Sequence, residues 1–213
     1  MHRQSLCAAL AAVAVGLAVS AGTYPARAED DPNPVDPVKG TEFDLRMFKT
    51  PIGKDKAYAC FVRRYDADHL ARHPQQKVSG MRLLVTAENP PEDGSSAYSF
   101  RLGVKYRTRK GDFDSSGFCS HVMAEQKGDE VRLGCGVDCD GGGIEAGLSR
   151  DDKSAIVRLE RVRIWQNNKP DEEAGDDLVA GQDDRIFRLD RADIAECKSL
   201  ITDRKELAAI RHK

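Results

Sequence analysis

Apolar and polar residues alternate along much of this chain with a period of two, the pattern of strands that bury one face. The clearest run places Phe100, Leu102, Val104 and Tyr106 on one side, with charged residues or glycine between them. Similar runs recur at about ten-residue spacing, and tight turns rich in Gly, Asp and Ser separate most of them. The predicted strands are 57–65, 78–88, 100–107, two strands of a cysteine hairpin between 116 and 139, 144–148, 155–165 and 185–189.

These short strands, about eight in number, predict an all-β fold built as an antiparallel up-and-down meander. Closure into a barrel is favoured because it removes exposed strand edges, and a two-sheet sandwich is the alternative. In the cysteine hairpin, Phe118, Val122 and Ala124 mark the predicted inner face of the first strand. In 155–165 the apolar phase slips near Glu160, which indicates a β-bulge of the kind that bends barrel strands.

Two helices are predicted beside the strands. Asp66 is the expected N-cap of a short helix near 66–73. Asp190 is the expected cap of a C-terminal helix at 190–213, whose apolar side faces inward. This second helix is predicted to pack on the barrel-like domain at 54–189.

The first 28 residues have the features of an export signal. A short basic start precedes the apolar run Leu6–Val19, and Ala26–Ala28 forms a cleavage site with small residues at both ends. The run is shorter than the roughly 20 apolar residues that cross a bilayer as a helix. We therefore predict a signal peptide at 1–28, a periplasmic or secreted protein, and no integral membrane segment after cleavage.

Residues 29–53 form a Pro- and Asp-rich segment ahead of the strands. Its four prolines disfavour both a helix and a central strand. The segment is therefore predicted to be an N-terminal arm, which Phe43, Leu45 and Phe48 could dock on the domain.

Five cysteines follow the signal: Cys60, Cys119, Cys135, Cys139 and Cys197. In an oxidising compartment they are expected to form disulfides, and the odd number leaves one thiol over. A Cys60–Cys197 bridge would join the first strand to the C-terminal helix, and a second bridge is expected among the other three. Cys119–Cys139 is favoured for that second bridge. Cys119–Cys135 and Cys135–Cys139 remain open, because the register of the hairpin is not known from sequence.

The formal charge of −2 becomes −4 when two arginines leave with the signal, so nucleic acid is not an expected partner. Residues 97–110 nevertheless carry five basic residues and no acidic one, whereas 171–184 carry seven acidic residues and no basic one. The two segments could neutralise each other on the surface. Alternatively, the basic strand face binds an anionic ligand or an envelope protein. The candidate residues for such binding are Arg101, Lys105, Arg107 and Arg109.

Some residue spacings suggest metal ligands. His69 and His73 lie four residues apart, so on a helix they share a face and could bind a metal. His121 is a third ligand only if the fold brings it there. Asp138 and Asp140, beside three glycines, partly resemble a calcium loop, but the spacing of the acidic residues departs from that of an EF-hand. A glycine-rich turn with solvated aspartates fits this spacing better, and no cofactor is predicted.

The chain has no Gly-x-Ser-x-Gly elbow, phosphate-binding loop or His-Glu-x-x-His motif. We therefore expect an exported envelope protein, a non-enzymatic β-barrel that binds an anionic ligand or a protein partner. The alternative is a metal-dependent periplasmic enzyme that uses His69, His73 or His121. The sequence leaves open whether the protein is an enzyme.

Overall fold

Eight antiparallel strands close into a ring in the computed structural model, and one further strand pairs outside that ring. The structure describes residues 34–89, 96–124, 130–138, 140–166 and 175–211, so the predicted signal peptide at 1–28 lies outside it. The strands are β1 (Ala57–Arg64), β2 (Val78–Glu88), β3 (Ala97–Tyr106), β4 (Phe113–Met123), β5 (Val131–Gly136), β6 (Gly142–Leu148), β7 (Ser154–Gln166), β8 (Asp176–Val179) and β9 (Ile186–Ala192). The predicted all-β meander that closes as a barrel is confirmed.

Each strand from β1 to β7 pairs with the next along the chain, and β9 closes the ring between β7 and β1. β8 and β9 follow one another along the same edge of β7, because Val179 pairs with Arg161 and Ile186 pairs with Arg158. Residues 180–185 leave this edge as a loop. The register between β6 and β7 shifts where β7 passes Glu160, so the predicted bulge is confirmed.

The interior of the barrel is filled by side chains. Those that point inward from β1, β2, β3 and β5 are almost entirely buried, as the alternating pattern predicts. The fully buried residues include Phe61, Met81, Leu83, Phe100, Leu102, Leu133, Phe187 and Leu189. These side chains form the main hydrophobic core of the domain.

The predicted inner face of β4 is wrong. Phe118 points outward and is 69% exposed, whereas Ser115 and Gly117 occupy inward positions. A Cβ atom on Gly117 would lie 1.9 Å from the Gly136 carbonyl oxygen and 3.0 Å from the Phe100 ring. Phe100 therefore fills the space that a larger inward residue on β4 would need.

Residues 29–53 contain a helix, contrary to the prediction from their prolines. α1 (Pro37–Phe48) begins at Asp36, whose carboxylate accepts hydrogen bonds from the backbone of Val38 and Lys39. Pro37 is the first helical residue, where its missing N–H costs no hydrogen bond. The prolines therefore flank or start the helix instead of interrupting it.

α1 covers one end of the barrel. Phe43, Met47 and Phe48 are buried in the core, although Leu45, also predicted to dock, is 44% exposed. The Arg191 guanidinium donates hydrogen bonds to the carbonyl oxygens of Met47 (2.8 Å) and Arg46 (3.0 Å) near the end of α1. These bonds satisfy carbonyl groups that a helix end leaves without internal partners.

The opposite end is closed by α2 (Ala67–Arg72) and the 180–185 loop. Asp66 accepts a hydrogen bond from the His69 backbone, so it is the N-cap of the predicted short helix. Asp184 is fully buried and accepts hydrogen bonds from the backbone N–H groups of Lys77 (2.7 Å) and Val78 (3.2 Å). This carboxylate ties the loop to the first residues of β2.

The C-terminal segment is divided into two short helices where one continuous helix was predicted. Asp190 belongs to β9, and Asp193 instead caps a 3-10 helix (Ile194–Leu200), which α3 (Arg204–Arg211) follows. We call these two helices the C-terminal cover, and we call the outer face of β1–β3 beneath them the covered face. None of the helices within the described residues is long and apolar enough to cross a membrane.

A second, smaller apolar cluster forms between the C-terminal cover and the covered face. It contains Cys60, Val62, Leu84, Cys197, Leu200, Ile201 and Ile210. A disulfide joins Cys60 to Cys197, and the bare Cα of Gly103 leaves room for Leu200. The cover therefore has its own core outside the barrel.

The second disulfide joins Cys119 to Cys135, not to Cys139 as favoured from sequence. The two cysteines lie directly opposite each other in the β4–β5 ladder, so the register of the hairpin selects this pair from the open alternatives. Cys139 lies outside the described residues.

Candidate functional site

The four basic residues predicted to bind an anionic partner all have partners within the protein. Arg101 forms two hydrogen bonds with the Glu206 carboxylate (3.1 and 2.8 Å), and Lys105 lies 3.4 Å from Asp112. Arg107 donates to backbone carbonyl groups at the end of α2, and Arg109 pairs with Asp176 from the acidic segment. Carboxylates therefore pair with Arg101, Lys105 and Arg109, whereas Arg107 is held by backbone carbonyl groups.

The Arg101–Glu206 pair lies where α3 meets the covered face. Only 22% of the Arg101 side chain and 8% of the Glu206 side chain are exposed. Burial, followed by the nearby Glu206 carboxylate, raises the pKa of Tyr58 to about 12. The predicted basic strand face is thus partly an interior contact between the barrel and its C-terminal cover.

His69 and His73 share a face of α2, but their rings stack on each other. The ring centroids are 4.4 Å apart and the planes differ by 25°, and Tyr65 stacks on His69 in the same way. His69 Nε2 lies 3.0 Å from Gln76 Oε1, and His73 Nδ1 lies 3.6 Å from Asp183. Stacked rings set their nitrogen atoms side by side and do not aim them at one shared point.

His121 lies at the other end of the barrel. It is close to Tyr98 at the start of β3, whereas α2 is hydrogen-bonded by Arg107, which follows the end of that strand. Eight residues of a strand span roughly 26 Å, so the three histidines do not meet. Across the described ranges, no group of three or more His, Cys, Asp or Glu residues could hold a metal ion.

His121 is part of a buried polar contact under α1. Its Nε2 lies 2.9 Å from one oxygen of Asp44, and the Tyr98 hydroxyl donates to the other oxygen at 2.7 Å. Burial and this hydrogen bond raise the pKa of Tyr98 well above its usual value. The contact fixes α1 on the barrel end, and Gly40 leaves room for the His121 ring.

Asp138 and Asp140 lie in the turn between β5 and β6. The Asp140 carbonyl accepts a hydrogen bond from Arg161, and its backbone has a φ of 59°. Gly142 has a φ of 68°, and a Cβ atom there would lie 2.2 Å from the Arg161 carbonyl oxygen. Gly142 therefore serves the close approach of β6 to β7, which is a structural reason for a glycine in the Asp/Gly turn.

A different group of basic residues faces outward from β7 and β9. Arg158 lies opposite Ile186 and Arg188 lies opposite Ile156, so arginines and isoleucines alternate across the two strands. Arg185 precedes β9 and is exposed, as is Arg188. We call the group formed by Arg158, Arg185, Arg188, Val179 and Ile186 the arginine face.

Two acidic residues near the arginine face are bound to other side chains. Glu145, which lies opposite Arg158 on β6, accepts a hydrogen bond from Arg132 at 2.8 Å. Asp190 accepts hydrogen bonds from Ser154 (3.1 Å) and Arg63 (3.3 Å). These two carboxylates are therefore held by groups other than the arginines of the face, whereas Glu160 is exposed on β7 two residues from Arg158.

The arginines of the face differ in how they are held. Arg188 donates to the Ser154 hydroxyl at 3.0 Å. The Nη1 atom of Arg158 is buried and has no hydrogen-bond partner among the described residues. Within those residues, no carboxylate pairs with Arg158, Arg185 or Arg188, in contrast to Arg101. The exposed guanidinium groups of Arg185 and Arg188 can therefore offer planar donors to an anion from solution.

Sequence reasoning missed this face although a signal was present. Arg158 alternates with Val157 and Leu159, and Arg188 alternates with Phe187 and Leu189, so the predicted strands already placed both arginines outward. The two residues lie 30 positions apart, and only the β7–β9 pairing makes them neighbours. Comparison with protein-family models, curated proteins and solved structures finds no match to this chain.

Proposed function

We propose that this protein is an exported binding protein, not an enzyme, and that it holds an anionic partner on its arginine face. The observation that carries the proposal is that Arg158, Arg185 and Arg188, on or next to two paired strands, have no paired carboxylate among the described residues, and that two exposed aliphatic side chains accompany them. Guanidinium groups bind carboxylate, sulfate and phosphate groups through paired N–H donors.

The filled barrel supports a surface site. A ligand cannot enter a core in which the inward side chains are fully buried, so binding on the outside is favoured. Arg185, Ile186 and Arg188 are exposed to water, whereas catalytic pockets enclose their substrates to exclude solvent. These features suit binding better than they suit catalysis.

Export is the second element of the proposal. Two disulfides are typical of proteins in oxidising compartments, and they agree with the signal predicted at 1–28. A periplasmic or secreted location gives the arginine face access to anionic polysaccharides, lipid head groups and acidic proteins of the envelope.

The test is retention of the mature chain on a dextran sulfate matrix across a salt gradient. We expect retention that weakens with salt and is abolished in Arg158→Glu/Arg188→Glu. The matched control is Arg204→Glu/Lys205→Glu, which makes the same change in charge at exposed positions of α3 and should keep retention close to that of the wild type. Equal loss in both variants, or retention unchanged in the first, would overturn the proposal.

A further inference from the structure

The arginine face contains apolar side chains as well as charge. Val179 is 46% exposed and Ile186 is 56% exposed, and both belong to the few large apolar residues that stand out from the described surface. They pair with Arg161 and Arg158, the β7 residues on either side of the bulge. The two aliphatic side chains therefore lie close to each other and to the arginines.

The position of this patch is fixed by the fold. Val179 ends β8 and Ile186 begins β9, so the two residues directly precede and follow the 180–185 loop. Asp184, within that loop, is fully buried and bound to two backbone N–H groups of the β2 side. The patch is thus preorganised, and binding on it does not have to order a free loop.

We propose that the arginine face docks on the surface of an anionic phospholipid bilayer, an inference that rests on the proposed function above. Arg158, Arg185 and Arg188 would contact lipid phosphate groups, while Val179 and Ile186 enter the boundary between head groups and acyl chains. A purely ionic partner would use the arginines alone. A lipid surface is both anionic and apolar, and it matches both kinds of side chain.

The charges around the face determine how the protein would lie on such a surface. The mature chain carries a formal charge of −4 once Arg3 and Arg27 leave with the predicted signal, so an anionic membrane repels most of it and attracts the arginine face. Glu160 is exposed on β7 between the residues that pair with Val179 and Ile186. Its carboxylate opposes docking, and its removal should strengthen binding.

The experiment is co-sedimentation of the mature chain, recovered after export so that the apolar run 6–19 is absent, with vesicles. One set contains phosphatidylcholine alone and the other contains phosphatidylcholine with phosphatidylglycerol. We expect salt-sensitive binding to the second set only. Each neutralised arginine should weaken binding about fivefold, so Arg158→Gln/Arg188→Gln loses roughly 30-fold, whereas Arg204→Gln/Lys205→Gln stays near the wild type.

Two further variants separate the apolar contribution from the ionic one. Val179→Ser/Ile186→Ser should lose several-fold of its vesicle binding and keep its retention on dextran sulfate. Glu160→Gln should bind the anionic vesicles about fivefold more tightly. If the serine variant binds the vesicles as well as the wild type does, the bilayer proposal is wrong.

The outcomes also distinguish this inference from the proposed function. Retention on dextran sulfate without binding to the anionic vesicles would leave the proposed function standing and overturn the bilayer proposal. Displacement from vesicles by millimolar inorganic phosphate at constant ionic strength would identify a site for a free oxyanion, and would also overturn it. If the wild type binds neither dextran sulfate nor the anionic vesicles, both proposals are wrong.

Discussion

The covered face and the arginine face are two parts of the same barrel exterior, and both present arginines from their strands. On the covered face, the C-terminal cover supplies the carboxylate of Glu206 to Arg101 and an apolar layer around Leu200. On the arginine face, nothing in the described residues supplies a carboxylate to Arg158, and Ile186 remains exposed. The number of basic residues on a strand therefore does not tell which strand is available to a partner.

The two faces differ because the chain that follows β9 folds back over β1–β3 and not over β7 and β9. A disulfide between Cys60 and Cys197 holds the cover on β1, so the covered face is part of the folded core. Among the described residues, no disulfide holds another segment over the arginine face. If this comparison is correct, substitutions on the covered face should cost stability, and substitutions on the arginine face should cost binding.

The largest effect is expected from the disulfide of the cover. Replacing both Cys60 and Cys197 by Ala should lower the free energy of unfolding by about 5 kcal/mol, because the bridge spans 137 residues. Replacing both Cys119 and Cys135 should cost about 3 kcal/mol, since that bridge spans 16 residues. Urea unfolding measures both losses. A larger loss from the hairpin bridge would contradict the role assigned to the cover.

A smaller effect is expected from one aliphatic residue of each face. Leu200→Ala should cost about 2–4 kcal/mol of unfolding free energy, because Leu200 is 5% exposed and packs between the cover and the barrel. Ile186→Ala should change stability by no more than about 0.5 kcal/mol, as is usual for an exposed side chain. Thermal and urea unfolding measure both variants. Similar losses of stability in Leu200→Ala and Ile186→Ala would show that the two faces do not differ.

The charged pair of the covered face gives a third comparison. Glu206→Gln should cost about 1–2 kcal/mol, because it leaves the half-buried Arg101 without its carboxylate. Glu160→Gln, at an exposed position on β7, should leave the unfolding free energy within about 0.5 kcal/mol of the wild type. If the two variants are equally stable, Arg101 does not depend on the cover for its partner.

The smallest effect is a dependence of stability on alkaline pH. Burial and Glu206 raise the pKa of Tyr58 from 10.0 to about 12, so folding favours the neutral hydroxyl. The contribution of this group is complete below pH 10 and is lost as the pH rises through 12. The unfolding free energy of Tyr58→Phe, measured in urea, should therefore fall less between pH 10 and pH 12 than that of the wild type. An identical decline in both proteins would contradict the cause given for the shift.

The strands could be predicted from the sequence where their inward residues are large and apolar, as are Leu83 and Leu102, which lie opposite each other in β2 and β3. The inner face of β4 could not be predicted, because its inward positions carry Ser115 and Gly117 next to the large ring of Phe100. The helix at 37–48 could not be predicted from its prolines, because a proline normally interrupts a helix but Pro37 occupies the first helical position.

The site was harder to predict than the fold, because each part of it depends on contacts distant in sequence. Glu206 lies 105 residues from Arg101, so no local pattern shows that this arginine is already paired. Arg158 and Arg188 become neighbours only through the β7–β9 register. The alternation of apolar and polar residues predicts which side chains point outward, but it does not predict which other side chains they contact.

The accessibility of the arginines tests the comparison most directly. Phenylglyoxal modification followed by mass spectrometry reports the reactivity of each arginine in the folded protein, with and without an anionic partner such as dextran sulfate. We predict rapid modification of Arg185 and Arg188 that the partner suppresses, and slow modification of Arg101 that the partner does not change. Equal reactivity at the three residues, or no protection of Arg185 and Arg188, would contradict the account.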